Sequence, residues 1–248
     1  WGMLTEEFDS PGHHAGNTGA ESHFKYIVDR RVEQGFTVYQ SEPIGAAFNL
    51  RDGIVDQEDI DGFRVTDKYF EYIADAGMVH ANSQFFFAMD ISSALAADKA
   101  KLENISRYWV ARYGAWPVMW TLAQEIDNDS YAESGNHKKF DYTNNPWVDV
   151  AEYMHKYDSY SHPLSGHQEH NVHTTVTGAG WKEDVSKGRS VSIFVSEEVA
   201  ARTGHNWWAA QWGPQFIEPA EPELVRDYYN SERPAVNYEG KYCGLWTQ

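Results

Sequence analysis

From residue 20 onward the apolar positions follow two alternating rhythms. In AESHFKYIVDRRVEQGF, Phe24, Ile27, Val28 and Val32 recur at the spacing of one helix face, and Gly35 stands where a helix C-cap belongs. The strand FTVYQSE follows directly. TDKYFEYIADAG predicts a second helix, with Thr66 as its N-cap and Gly77 as its stop, before the strand MVHANSQFFFAM. AADKAKLENISRYWVARYG sets Leu102, Ile105, Trp109 and Tyr113 on one stripe and ends at Gly114, ahead of WPVMWTLAQE. NNPWVDVAEYMHKY starts with Asn145 as N-cap and Pro146 at the first helical position, and it leads into HPLSGHQEH. Farther on, SVSIFVSEEVAARTG reads as either strand or helix, HNWWAAQWG as a strand, EPELVRDYYN as a helix and RPAVNYEG as the last strand.

Helices alternating with short, nearly continuous apolar strands predict an α/β fold whose parallel sheet is buried on both faces. The choice lies between a doubly wound sheet and a closed (β/α)8 TIM-type barrel. Six strands are legible, ending near Glu42, Phe87, Glu125, His167, Gln211 and Glu239. An eight-stranded barrel needs two more, which would fall before Trp1 and after Gln248. Residues 1–248 are therefore expected to form one (β/α)-barrel catalytic domain, represented without its first and last strands and belonging to a longer polypeptide.

Charge narrows the partners. Thirty-seven acidic against 20 basic residues give a formal charge of -17, which repels a phosphate backbone and argues against nucleic acid. No apolar run approaches the roughly 18 residues needed to cross a bilayer, so no membrane partner is expected. The single Cys243 excludes an internal disulfide and any multi-cysteine metal site. No cofactor is expected, and oligomeric state is left open.

The chemistry of a parallel α/β fold gathers at the carboxyl ends of its strands. Glu125 ends PVMWTLAQE and Glu239 ends PAVNYE, so one fold rule directs both carboxylates to one cleft. A carboxyl pair in a partly desolvated cleft is what glycosidic-bond hydrolysis requires: a protonated acid for the leaving oxygen and an ionised nucleophile or base. Against this stands the usual fate of glutamate, an exposed loop. Gln40 and Glu42 at one strand end, and Gln211 with Trp212 at another, are placed to meet sugar hydroxyls or the apolar face of a sugar ring. Trp116, Trp207 and Trp208 read as core. Arg112 is expected to satisfy helix-end carbonyls or a buried acid rather than to bind substrate. His167, His170 and His173 cluster near a strand end, but HQEH lacks the HExxH spacing, so metal catalysis is the weaker reading and His167 is expected to contact substrate.

RYWVARYGAWPVMWTLAQEID, HPLSGHQEH and RPAVNYEGKYCG, with RRVEQGFTVYQ near the start, resemble the apiosidase-like glycoside hydrolases, barrel enzymes of the large retaining clan. The likeness spans most of residues 20–245. It implies that Glu125, at the end of the fourth barrel strand, is the general acid/base and that Glu239, at the end of the seventh, is the nucleophile. The strand ending at Glu42 would then be barrel strand two. In the wider clan an Asn precedes the acid/base and contacts the neighbouring sugar hydroxyl; here Gln124 stands there, with a longer side chain. The resemblance implies a plant- or algal-type polysaccharide, or an oligosaccharide from one, as substrate. A carbohydrate-binding pseudoenzyme and a metal-dependent hydrolase are the alternatives. An acidic, aromatic-rich, nearly cysteine-free chain suits a secreted or periplasmic enzyme.

Overall fold

The computed structural model describes residues 2–3, 8–10, 19–42, 50, 52–83, 91–122, 146–165, 209–212 and 235–239. Five strands form one parallel sheet: β1 (Gly2–Met3), β2 (Val38–Glu42), β3 (Val79–Ser83), β4 (Val118–Thr121) and β5 (Leu164–Ser165). They lie side by side in chain order. A further parallel pair joins β6 (Ala209–Trp212) to β7 (Ala235–Glu239). A doubly wound sheet reverses its strand order at a switch point. The unbroken succession is instead that of a barrel wall, each strand laid beside the one before it.

The strand β1 corrects one expectation. The hydrophobic pattern opened the sheet at the strand ending on Glu42 and put its predecessor before Trp1, but Gly2 pairs with Ser41 and Met3 with Glu42. Two residues, one of them glycine, offer no period to read.

Between the strands run α1 (His23–Glu33), α2 (Gln57–Asp75), α3 (Ser93–Ala97), α4 (Lys99–Tyr113) and α5 (Pro146–Tyr157). α1 starts at Ser22, whose hydroxyl accepts from the Lys25 amide, and gives way to Gly35 at φ +83°, a left-handed turn that suits a residue without Cβ. α2 starts nine residues before the predicted Thr66. Its N-cap is Asp56, which accepts from the Asp59 amide at 3.0 Å while the Asp59 carboxylate accepts from the Asp56 amide at 3.1 Å. This reciprocal box satisfies amide donors that the first turn leaves without partners. Thr66 lies buried in mid-helix, its hydroxyl donating to the Gly62 carbonyl. The predicted α4 stripe holds: Leu102, Ile105, Trp109 and Tyr113 are all fully buried. Pro146 opens α5 as expected, and Asn145 lies outside the described residues.

Strand alternation sorts the sheet into two faces. Tyr39, His80 and Val118 share one register row and are buried, Tyr39 against Phe24 of α1 and His80 against Phe70 of α2. That row faces the helices. The next row, Gln40, Ala81 and Met119, therefore faces away from them, toward the opposite face of the sheet. Aromatic rings dominate the helix–sheet core: Phe70 stacks on Tyr113 at 3.9 Å and Trp109 meets Tyr113 edge-on at 4.8 Å. Such contacts add to burial worth about 1.5–3 kcal/mol per large apolar side chain.

Trp109→Ala should cost about 3–5 kcal/mol of unfolding free energy. Asp56→Ala should cost about 0.5–2 kcal/mol through the lost cap alone. Urea denaturation followed by circular dichroism measures both, and a cap variant as damaging as the core variant would contradict this ranking.

Candidate active site

The connections differ between the two ends of the sheet. Helices return to strands through 34–37, 76–78, 114–117 and 158–163, whereas strands lead to helices through 43–56, 84–92 and 122–145. The longer segments leave from the carboxyl ends, where a parallel barrel builds its binding surface from loops. Because every pairing is parallel, the ends of β1 to β5 all emerge on that side.

The expected site residues distribute as follows. Glu42 is the last residue of β2, paired with Met3, and the half-buried Gln40 sits two positions earlier. β4 ends at Thr121, followed by the buried Leu122, so Glu125 does not terminate the strand as predicted; it and Gln124 lie outside the described residues. β5 ends at Ser165, which leaves His167, His170 and His173 outside as well. The predicted strand end at Phe87 also falls outside, β3 stopping at Ser83. Gln211 and Trp212 close β6, and Glu239 is the last residue of β7. Among the described strands, the one that precedes Glu125 is the fourth and the one that ends on Glu239 is the seventh.

The β6–β7 ladder is irregular at its carboxyl end. Gln211 pairs with Asn237 but Trp212 pairs with Glu239, so Tyr238 is an extra residue on β7. A bulge of this kind breaks the strict alternation and re-aims the backbone locally, and bulges are enriched beside active sites. Here it brings the last residues of both strands to one register position.

Two buried polar groups were not anticipated. Ser41 Oγ and His80 Nε2 share a hydrogen bond of 2.5 Å on the helix-facing side, both side chains closed off from solvent. Burial lowers the His80 pKa from its ordinary value to about 3, so the imidazole is neutral. The second group is Asp158, just past α5. Its carboxylate accepts from Trp120 Nε1 at 2.9 Å and from the backbone amides of His162 at 2.8 Å and Tyr160 at 3.1 Å, and it pairs with His162 Nδ1 at 2.9 Å. Burial alone would raise its pKa, but the hydrogen bonds from His162 and Trp120 outweigh that and hold it below the ordinary carboxylate value. The only local signal was the turn-forming run DSYSHP, which marks a tight connection without naming its partner. Arg112 binds an acid, but a half-exposed one rather than the buried one expected: its guanidinium meets Asp67 through two hydrogen bonds of 2.8 and 2.5 Å, joining α4 to α2.

Among the described residues no group of three His, Cys, Asp or Glu side chains is disposed to hold a metal ion. Among the same residues no helix is long and apolar enough to cross a membrane.

No protein-family model matches the sequence, and no curated protein does. Solved structures do. The chain is similar to a family 1 β-glucosidase from Thermotoga maritima, with a TM-score of 0.50 at 10% identity over 77% of this chain and 53% of that one. A β-glucosidase from Thermotoga maritima in complex with deoxynojirimycin gives a TM-score of 0.50 at 10% identity over 86% and 64%. A Thermotoga maritima family 1 glycoside hydrolase complexed with a cyclophellitol analogue transition state mimic gives 0.51 at 10% identity over 85% and 63%. The chain thus spans between 53% and 64% of the length of these structures. The likeness establishes a fold: a parallel α/β architecture of the kind found in (β/α)8 glycoside hydrolases.

The buried His80 generates a pH prediction. Its folded pKa of about 3 lies below the unfolded value of 6.5, so the unfolded chain binds more protons between those limits. The stability it supports is present above pH 6.5 and is lost as pH falls toward 3, on the order of 1 kcal/mol per pH unit. His80→Leu should flatten the dependence on pH across this window while lowering stability at neutral pH, since Ser41 loses its partner. Urea midpoints measured between about pH 4 and 7 check both effects, and a variant with the wild-type slope would show that His80 is not the titrating group.

Proposed function

We propose that this chain carries the catalytic barrel of a retaining glycoside hydrolase, of the apiosidase-like kind that its sequence resembles. The observation that carries the reading is positional: Glu239 closes the seventh described strand, Glu125 follows the fourth, and β1 to β5 pair in parallel in chain order. The fold likeness to family 1 enzymes supports the same reading.

The reaction would be a double displacement. Glu125 gives its proton to the glycosidic oxygen as Glu239 attacks the sugar carbon; the C–O bond to the leaving group breaks as the bond to Glu239 forms. Glu125 then takes a proton from water, which displaces Glu239 and releases the sugar with its configuration retained. This mechanism calls for carboxyl groups about 5–5.5 Å apart. Gln40, Glu42, Gln124, His167 and Gln211 are the proposed polar contacts to sugar hydroxyls, and Trp212 the proposed apolar one. The proposed substrate is a plant- or algal-type polysaccharide or a derived oligosaccharide, met outside the cytoplasm by a secreted or periplasmic enzyme; the excess of acidic residues suits a neutral glycan better than a polyanionic one.

A panel of plant and algal glycans, with products resolved by chromatography and their anomeric configuration read by proton NMR, tests the proposal. Glu239→Gln should abolish turnover. Glu125→Gln should lower kcat/KM by about 10²–10⁴ on substrates whose leaving group needs protonation. Undiminished hydrolysis by Glu239→Gln, or inversion of configuration, would rule the assignment out.

A further inference from the structure

Among the described residues the β4–β5 pairing is short: Trp120 with Leu164 and Thr121 with Ser165 are in register, and a two-residue ladder does little on its own to prevent a strand from slipping. Yet β4 and β5 are the strands that lead, within a few residues, to Glu125 and His167.

What holds the two in register is a wrap of residues 158–164 around one side chain. The Trp120 amide donates to the Pro163 carbonyl at 2.8 Å. Its indole Nε1 donates to Asp158 Oδ2 at 2.9 Å, and its ring meets the His162 ring edge-on at 5.5 Å. Asp158 also draws the connection inward by accepting from the Tyr160 and His162 amides and pairing with the His162 imidazole. Ser161 completes the turn at φ +53°, a left-handed conformation unusual for a residue with a side chain. The Trp120 indole, the Tyr160 and His162 amides and the His162 imidazole converge on one carboxylate, with 7% of the Asp158 residue surface exposed. Such a fully used acceptor fixes geometry more sharply than a two-residue ladder can.

We infer that Asp158 is a positioning residue: through Trp120 and His162 it sets the register of β5 against β4, and with it the placement of the chain segments that follow the two strands. Its consequence for catalysis rests on the reading of Glu125 as acid/base given above. The register effect does not.

The test uses the full chain carrying Asp158→Asn or Trp120→Phe. The first puts an amide N–H₂ where a carboxylate oxygen accepts; the second removes the indole donor and keeps an aromatic ring. Hydrogen exchange resolved to single residues should show the backbone amide at position 120 exchanging at least about tenfold faster in both variants, with amides of α1 and α2 unchanged. Unchanged exchange at position 120 would overturn the inference, as would an equal acceleration throughout the chain.

The catalytic arm compares two aryl glycosides of whichever sugar the wild type hydrolyses, one with a dinitrophenol leaving group and one with phenol. A misplaced general acid slows phenol departure, which needs the proton, and spares dinitrophenolate, which does not. Loss of folded enzyme slows both alike. Both variants should lose at least about tenfold more kcat on the phenyl substrate. Equal losses, or none, would overturn the positioning role in catalysis. A wild type inactive on every glycoside would refute the proposed function, and the exchange measurement would still decide the register.

Discussion

In-order parallel pairing from β1 to β5 is the constraint on which the remaining structure depends. Each strand hydrogen-bonds to the one laid down before it, so every return to the sheet must cross from its carboxyl end to its amino end through a helix. The helices are thereby forced onto one face, and the apolar side chains of Tyr39, Val118 and Trp120 find Phe24, Phe63, Trp109 and Trp147 there in a single core. The same constraint sends every strand end out on one side. Residues at the ends of β1 to β5, though distant in sequence, need no contact with one another during folding to arrive at a common rim.

Much of this was legible because it depends on local rhythm. The α4 stripe from Leu102 to Tyr113 and the proline-led start of α5 follow from spacing and backbone chemistry within a few residues. The sequence misleads where two local signals compete. Thr66 reads as the cap of α2 because it precedes an apolar run, while the acidic pair Asp56 and Asp59, one turn of a polar segment, carries the actual reciprocal box. β4 reads on toward Glu125 because Leu122 continues its apolar character, but buried residues need not belong to a ladder. Of the candidate site, only strand-end placement was legible, and Glu42, Trp212 and Glu239 do end β2, β6 and β7.

What could not be read are pairings over long separations. Ser41 and His80 lie 39 positions apart, Trp120 and Asp158 38 apart, and nothing in either neighbourhood names the other. Each pair becomes inevitable only once parallel packing has brought a polar side chain into a dry interior, where leaving a donor or acceptor unmade costs about 1–3 kcal/mol. The β6–β7 bulge belongs to the same category. A single extra residue, Tyr238, changes which strand-end residues stand level, and no hydrophobic period announces it.

The inequality between the brief returns at the sheet's lower rim and the extended segments at its upper rim has an evolutionary corollary. Lengthening a surface segment costs little, since closure entropy grows only logarithmically and a doubling adds roughly 0.6 kcal/mol. Lineages descended from this scaffold could therefore exchange whole upper segments for others of different length, acquiring new ligand preferences, while the helix-backed wall beneath them stayed as it is.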